Sequence, residues 1–197
     1  MSQLRKNELA ALGLVNRVPM HGYGLAQAIQ HMGLEHWTTV SRSSIYAALR
    51  RLAREGAVSI SHEREGGAPE RTIYHITPVG REMLHEILRE ALAYVGPEDR
   101  YFYLGVAFGD ALPAWEVTRL IEARLTRLQR DVAEEKQDCT RLAEAAPRPN
   151  QFTIMSRGGV RHFEVEIDIC AELIDLYRHR EDQSSDGDSG RQGGGNG

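Results

Sequence analysis

The apolar pattern predicts a mainly α-helical chain with one small β-hairpin, built in two parts. Three observations predict it. Apolar residues recur at helical spacing through most of the chain, the period changes to two only between residues 57 and 76, and two long segments after residue 113 carry coiled-coil spacing. The expected organisation is a first domain over residues 1–95, a helical association domain over 96–180, and a tail over 181–197. That tail is glycine, serine and charge with nothing to bury, so disorder is expected there.

Each element follows from local chemistry. A first helix is expected from Arg5 to Arg17, with Leu9, Leu12 and Val15 on one face. "VPMHGYG" breaks it, because proline and two glycines do not continue a helix comfortably. A second helix carries Leu25, Ile29 and Met32 and stops at Gly33. After "LEHWTTV", a third helix begins in "SRSSIYAALRRL", with Ser41 as N-cap and Gly56 as the C-terminal glycine. "AVSISHERE" and "ERTIYHIT" then alternate around the turn-forming "EGGAP", which predicts a hairpin with a flexible tip.

Thr77 and Pro78 restart a helix as N-cap and first helical residue, with Met83, Leu84, Ile87 and Leu88 on its buried face. It ends near "GPEDR", and the short apolar segment "YFYLGVAFGDAL" leads to Pro113. The long helix that follows carries Ile121, Leu125, Leu128, Val132, Cys139 and Leu142. After "APRPNQ", the last helix carries Val160, Phe163, Ile167, Cys170, Ile174 and Tyr177, in steps of three and four that make a heptad seam. Helix, helix, helix, hairpin, helix is the order of a winged helix-turn-helix, and the two long helices fit a dimerisation domain.

Composition narrows the function classes. The chain has 197 residues, 41% apolar and 26% charged, which fits a folded core. No run approaches the roughly 20 apolar residues of a membrane span, and the N-terminal apolar run is too short for a secretory signal. Cys139 and Cys170 lie far apart without metal-ligand spacing, so both are expected to pack as small apolar groups in a reducing compartment. A cytoplasmic protein is the expectation. Net charge is −4, but it divides unevenly: residues 1–80 carry nine Lys/Arg and six Asp/Glu, giving +3, while 81–197 carry fifteen and twenty-two, giving −7. A basic first part suits a polyanion on one side of the molecule.

The third helix is where chemistry concentrates. Ile45, Leu49 and Leu52 form its buried stripe, leaving Ser43, Tyr46, Ala47, Arg50 and Arg54 to point elsewhere. Such a helix enters the DNA major groove in winged helix-turn-helix proteins, its N-terminal residues nearest the base edges. Small Ser43, Ser44 and Ala47 allow close approach, Arg42 and Arg50 can reach guanine edges or phosphates, and the Tyr46 hydroxyl can donate to a phosphate. A solvated arginine face explains the same pattern equally well when the helix is taken alone. The hairpin shifts that balance, since Arg64 and Arg71 flank a glycine-rich tip suited to a wing, although Glu63, Glu65 and Glu70 also fit cross-strand charge pairing.

Together, "HGYGLAQAI", "SSIYAALRRLAREGAV" and "PERTIYHITPVG" resemble the PadR family of bacterial transcriptional regulators. The family pattern joins His-Gly-Tyr at the second helix, Tyr-x-x-Leu-x-x-Leu-x-x-x-Gly in the recognition helix, and a wing with Pro-x-Arg that ends in Thr-Pro-x-Gly. Each piece occurs here in order over residues 9–80, and the likeness extends more loosely through the C-terminal helices. The resemblance implies a homodimer on an inverted repeat, with C-terminal helices packed across the two-fold. It implies a DNA-facing role for Tyr23, Ser43, Ser44, Tyr46 and Arg50 and a wing role for Arg71, while His21 and Gly22 shape the turn into the second helix and Tyr74 packs in the hairpin. Two departures stand out. Ala68 replaces the arginine common before the wing proline, which weakens the wing contact or shifts it to Arg64. Ile169 takes the place of a frequent tryptophan, which argues against an aromatic ligand platform on the last helix.

The expected function is therefore a PadR-like regulator, a repressor, that binds a double-stranded DNA operator as a homodimer and responds to a small-molecule effector at the domain or dimer interface. Its expected DNA-binding residues are Tyr23, Arg42, Ser43, Ser44, Tyr46, Arg50, Arg64 and Arg71. Its expected dimerisation residues are Ile121, Leu125, Leu128, Val160, Phe163, Ile167 and Ile174. The alternative is a winged-helix module that presents the same basic face to an acidic protein. No enzyme, cofactor, metal or membrane role is expected, since no phosphate loop or nucleophile arrangement occurs and His31, His36, His62 and His75 lack ligand context. Glu164, Glu166 and Asp168 are expected on an exposed helix face, and Tyr101, Phe102, Tyr103, Phe108 and Trp115 as packing where the domains meet, an effector pocket being the lesser alternative.

Overall fold

A computed structural model describes residues 3–64, 71–96, 99–145, 148 and 150–189. The chain forms two compact units, Met1–Leu112 and Pro113–Gly197. The segment between the hairpin-following helix and Pro113 therefore belongs to the first unit.

In that first unit α1 (Gln3–Arg17) is the central element, packed against α4 (Arg42–Arg54), α5 (Pro78–Leu92), α6 (Asp99–Ala107) and strand β3 (Arg71–Ile76). Leu9, Ala10, Leu12, Leu14 and Val15 are all buried, because a helix surrounded on most sides loses its polar face. β1 (Met20–His21) is only two residues long, too short for a periodicity to reveal. It pairs Met20 with Tyr74 and His21 with Ile73, turning the hairpin of β2 (Val58–Glu63) and β3 into a three-stranded antiparallel sheet ordered β1-β3-β2.

Side chains cap the helix starts, at His21 as well as at the expected Ser41. His21 Nδ1 accepts from the Gly24 amide at 3.1 Å and caps α2 (Gly22–His31). A short helix, α3 (Leu34–Trp37), follows Gly33 and buries Leu34. Ser41 and Ser44 form a reciprocal capping box at the start of α4. Gly56 ends the following turn at φ +76°, a conformation that side chains with a Cβ rarely adopt.

Thr77 shows why the "TPVG" stretch has its composition. Its hydroxyl donates to the Gly56 and Ala57 carbonyls and accepts from the Gly80 amide, tying α5 to the start of β2. A Cβ at Gly80 would lie 2.0 Å from the Ala57 carbonyl oxygen, so only glycine fits this approach. Arg17 then clasps the end of the unit by donating to the Ala107 carbonyl at 2.7 Å.

The second unit is an antiparallel hairpin of α7 (Ala114–Ala145) and α8 (Gln151–Ser189). Thr118 bonds Glu181, Arg178 pairs with Glu122 and Lys136 pairs with Glu164, spacing the partners along the hairpin. The seam of Cys170, Ile174 and Tyr177 is buried, as are Ile121 and Leu128. The tail departs from expectation: α8 continues through Ser189, nine residues into the segment expected to be disordered. Extending an existing helix needs no new nucleus, so polar residues such as Glu181 and Asp182 prolong it at little cost. Residues 190–197 lie outside the described residues.

Two further readings are corrected here. Glu166 is not on an exposed face; it is 3% exposed and accepts from Arg124, itself 1% exposed, at 2.5 Å. Cys170 packs beside that pair instead of in a purely apolar setting, and burial raises its thiol pKa, partly offset by the Arg124 charge. The helical period could not foresee either, because it identifies faces and not what lies across from them.

A candidate nucleic-acid interface

Helix α4 is amphipathic as expected. Ile45, Ala48, Leu49 and Leu52 are buried, each large aliphatic side chain contributing about 1.5–3 kcal/mol, and they fix the helix on α1. The opposite arc presents Arg42, Ser43, Ala47, Arg50 and Arg54 to solvent. Among the described residues no ion pair engages Arg42, Arg50, Arg54, Arg64 or Arg71, and all five are exposed. Arg51, one residue from Arg50, behaves differently. It donates to Glu8 at 2.8 Å and also approaches Glu55, so it belongs to the fold.

The expected site residues divide into two groups. Arg42, Arg50, Arg64 and Arg71 are available side chains, and Tyr23 is 70% exposed with its hydroxyl accepting from Gln27. Ser44 is committed: its hydroxyl accepts from the Ser41 amide and donates to the Ser41 carbonyl. Ser43 shares a hydrogen bond with the Ser41 hydroxyl but stays exposed. Tyr46 is half-buried and donates to the Gly22 carbonyl at 2.5 Å, which ties α4 to the start of α2. Burial raises its pKa first, with Tyr74 adding and Arg42 opposing. Tyr46 thus orients two elements and keeps one hydroxyl lone pair for a further partner.

A groove of about 550 Å³ opens beside it, lined by His21, Gly22, Tyr23, Tyr46, Arg71, Thr72 and Tyr74. It joins the start of α2, the face of α4 and strand β3. Helix N-termini favour anions, and an arginine with three tyrosines on the same wall adds charge and hydroxyl donors. Thr72 and Tyr74 were absent from the expected site. The alternation of β3 does put them on one face, but only pairing with β1 brings that face to α2. The tip residues Glu65, Ala68 and Glu70 lie outside the described residues.

The family model for "Transcriptional regulator PadR-like family" matches residues 11–86. The chain carries a PadR-like domain. The PadR-like domain spans from within α1 to within α5 and includes α4, the wing strands and the groove. No match was found among curated proteins. Solved structures similar to the chain include Bacillus subtilis PadR in complex with operator DNA, at 17% identity over 86% of this chain and 98% of that one, with a TM-score of 0.40. Bacillus subtilis PadR in complex with p-coumaric acid is similar at 18% identity, over 90% and 98%, with a TM-score of 0.38. A PadR-like transcriptional regulator from Bacillus cereus is similar at 18% identity, over 88% and 99%, with a TM-score of 0.37.

Outside the PadR-like domain's groove, the aromatic residues separate. Tyr101, Phe102 and Phe108 are core of the first unit. Tyr103 lines a cavity of about 560 Å³ with Trp37, Arg100, Val106 and Ala107. Trp115 is an exposed residue of α7 with Arg119 stacked over it. Among the described residues no cluster of His, Cys, Asp and Glu is arranged to hold a metal, and no helix is long and apolar enough to cross a membrane.

Of the expected dimerisation residues, Ile121, Leu128 and Ile174 are buried in the α7–α8 hairpin, whereas Leu125, Val160, Phe163 and Ile167 are only half-buried. A different stripe of α8 is exposed apart from Ile169, which is half-buried. Met155, Gly158, His162, Val165, Ile169 and Leu176 follow one another at steps of three, four, three, four and seven. Met155 and Val165 are 69% and 55% exposed. Nothing lies within 4 Å of where a Gly158 Cβ would stand, so another backbone can come close there.

Proposed function

We propose that the chain is a homodimeric transcriptional repressor that binds an inverted-repeat DNA operator and is released by a small-molecule effector. The arc of α4 enters the major groove, with Arg50 and Arg42 on base edges or phosphates. Arg64 and Arg71 follow the backbone from the wing, and the groove beside Tyr23 and Tyr46 takes a phosphate. The observation that supports this is a set of exposed arginines on α4 and the wing strands, without ion pairs among the described residues, together with a groove at a helix N-terminus that Arg71 lines.

Dimerisation uses the stripe of α8 on which apolar Met155 and Val165 are open to solvent. The effector enters beside Trp37, Arg100 and Tyr103, where a cation and aromatic faces share one cavity. The test is a gel-shift series with the duplex upstream of the chain's own gene, repeated across salt concentrations. Each phosphate contact contributes about −0.9 to the slope of log affinity against log salt. A slope flatter than about −1, or displacement of the DNA by an acidic protein partner and not by competing duplex, rejects DNA binding in favour of protein binding.

A further inference from the structure

The α7–α8 hairpin of the second unit carries a charged cavity of its own. It has a volume of about 470 Å³ and is lined by Lys136 and Cys139 from α7 and by Arg157, Val160, Arg161 and Glu164 from α8. That volume lies within the roughly 300–1,000 Å³ typical of small-molecule sites. Charge is unbalanced within it. Glu164 pairs with Lys136 at 2.8 Å. Among the described residues no ion pair engages Arg157 or Arg161.

The two arginines are four residues apart, hence neighbours on one helix face, where like charges oppose helix formation. An ordinary solvated helix surface relieves such a pair with a carboxylate three or four residues away. Here the candidate is Glu164, and its charge is engaged by Lys136. Gly158 and Gly159 lie between the arginines, a costly pair in a helix interior. A Cβ at Gly158 would meet nothing within 4 Å, so tight packing does not require that glycine, whereas one at Gly159 would lie 3.3 Å from the Glu135 carboxylate. Gly158 leaves the helix backbone bare next to two guanidinium groups that have no ion pair among the described residues, each able to grip a carboxylate or phosphate in bidentate fashion.

We propose that this cavity is a binding site for a small organic polyanion, held by Arg157 and Arg161 with Val160 against its apolar body. Cys139 on the wall is the natural reporter, since Cys170 is buried. In the full-length protein at low salt, the rates at which iodoacetate and iodoacetamide modify Cys139 are measured by mass spectrometry. Their ratio cancels changes in thiol ionisation and reads only the attraction for the charged reagent. The Arg157→Gln/Arg161→Gln double variant should lower that ratio about tenfold, from two charges at about 6 Å in water. Citrate at matched ionic strength should slow Cys139 modification at least fivefold in the unaltered protein and not in the variant. An unchanged ratio overturns the proposal. A fallen ratio without citrate protection also overturns it, because it leaves a basic surface with no binding site. Unchanged thermal melting of the variant separates either outcome from unfolding.

Discussion

Arg50 and Arg51 are adjacent in sequence and should respond oppositely to the same truncation. Arg50 is exposed and unpaired among the described residues, so Arg50→Ala should change stability by no more than about 0.5 kcal/mol. If it reaches a guanine, its loss should weaken operator binding by about 1–3 kcal/mol, or roughly 5- to 150-fold. If it reaches a phosphate, the salt slope should flatten by about 0.9 per half-site. Arg51 is bonded to Glu8, whose side chain is 10% exposed, while a quarter of Arg51 itself remains open. Removing a fully buried partner costs about 3–5 kcal/mol, and the residual solvation of Arg51 reduces that to about 2 kcal/mol. Arg51→Ala should therefore lower the urea midpoint by about 1 M while the surviving folded protein keeps its salt slope. Urea titrations and salt-dependent gel shifts on both variants decide the matter. Wild-type affinity and slope in Arg50→Ala, or equal destabilisation by the two variants, would refute the division of α4 into a structural and a DNA-facing arc.

Three other outcomes are expected. Gly80→Ala drives a Cβ into the Ala57 carbonyl and should cost about 1–3 kcal/mol, seen as a melting temperature lower by roughly 5–15 °C. Glu166→Ala removes the carboxylate partner of the buried Arg124 guanidinium and should cost about 3–5 kcal/mol in urea unfolding, whereas Arg124→Met/Glu166→Met should recover most of it. Val165→Glu places a charge in the open stripe of α8 and should halve the mass measured by light scattering without altering helix content by circular dichroism; a dimer that persists would locate the self-association face elsewhere.

Much of the fold was legible because its signals are local. The capping serine of α4, the proline after Thr77 and the period-two strands act within a few residues, so the chain displays them directly. Helical spacing likewise identified the buried stripe of Ile45, Leu49 and Leu52. The exposed arc followed as its complement. By itself the sequence therefore determined the main helices and the hairpin, which face of α4 is free, and that a second heptad-bearing part exists. It did not determine β1, the short α3 or the extension of α8 to Ser189.

What each face meets was decided only by tertiary structure. Tyr46 and Ser44 look equally available in the sequence, yet both are engaged in internal hydrogen bonds, because their partners are a carbonyl 24 residues away and a neighbouring cap. β1 exists only because β3 offers it a free edge. The seam from Val160 to Tyr177 announces that a helix must lie against it without saying whether that helix comes from the same chain, and here α7 lies against it. Glu166 reads as one of several acidic residues until Arg124, 42 positions earlier, is placed beside it. Periodicity is a property of one helix, whereas pairing depends on two segments brought together by the whole chain.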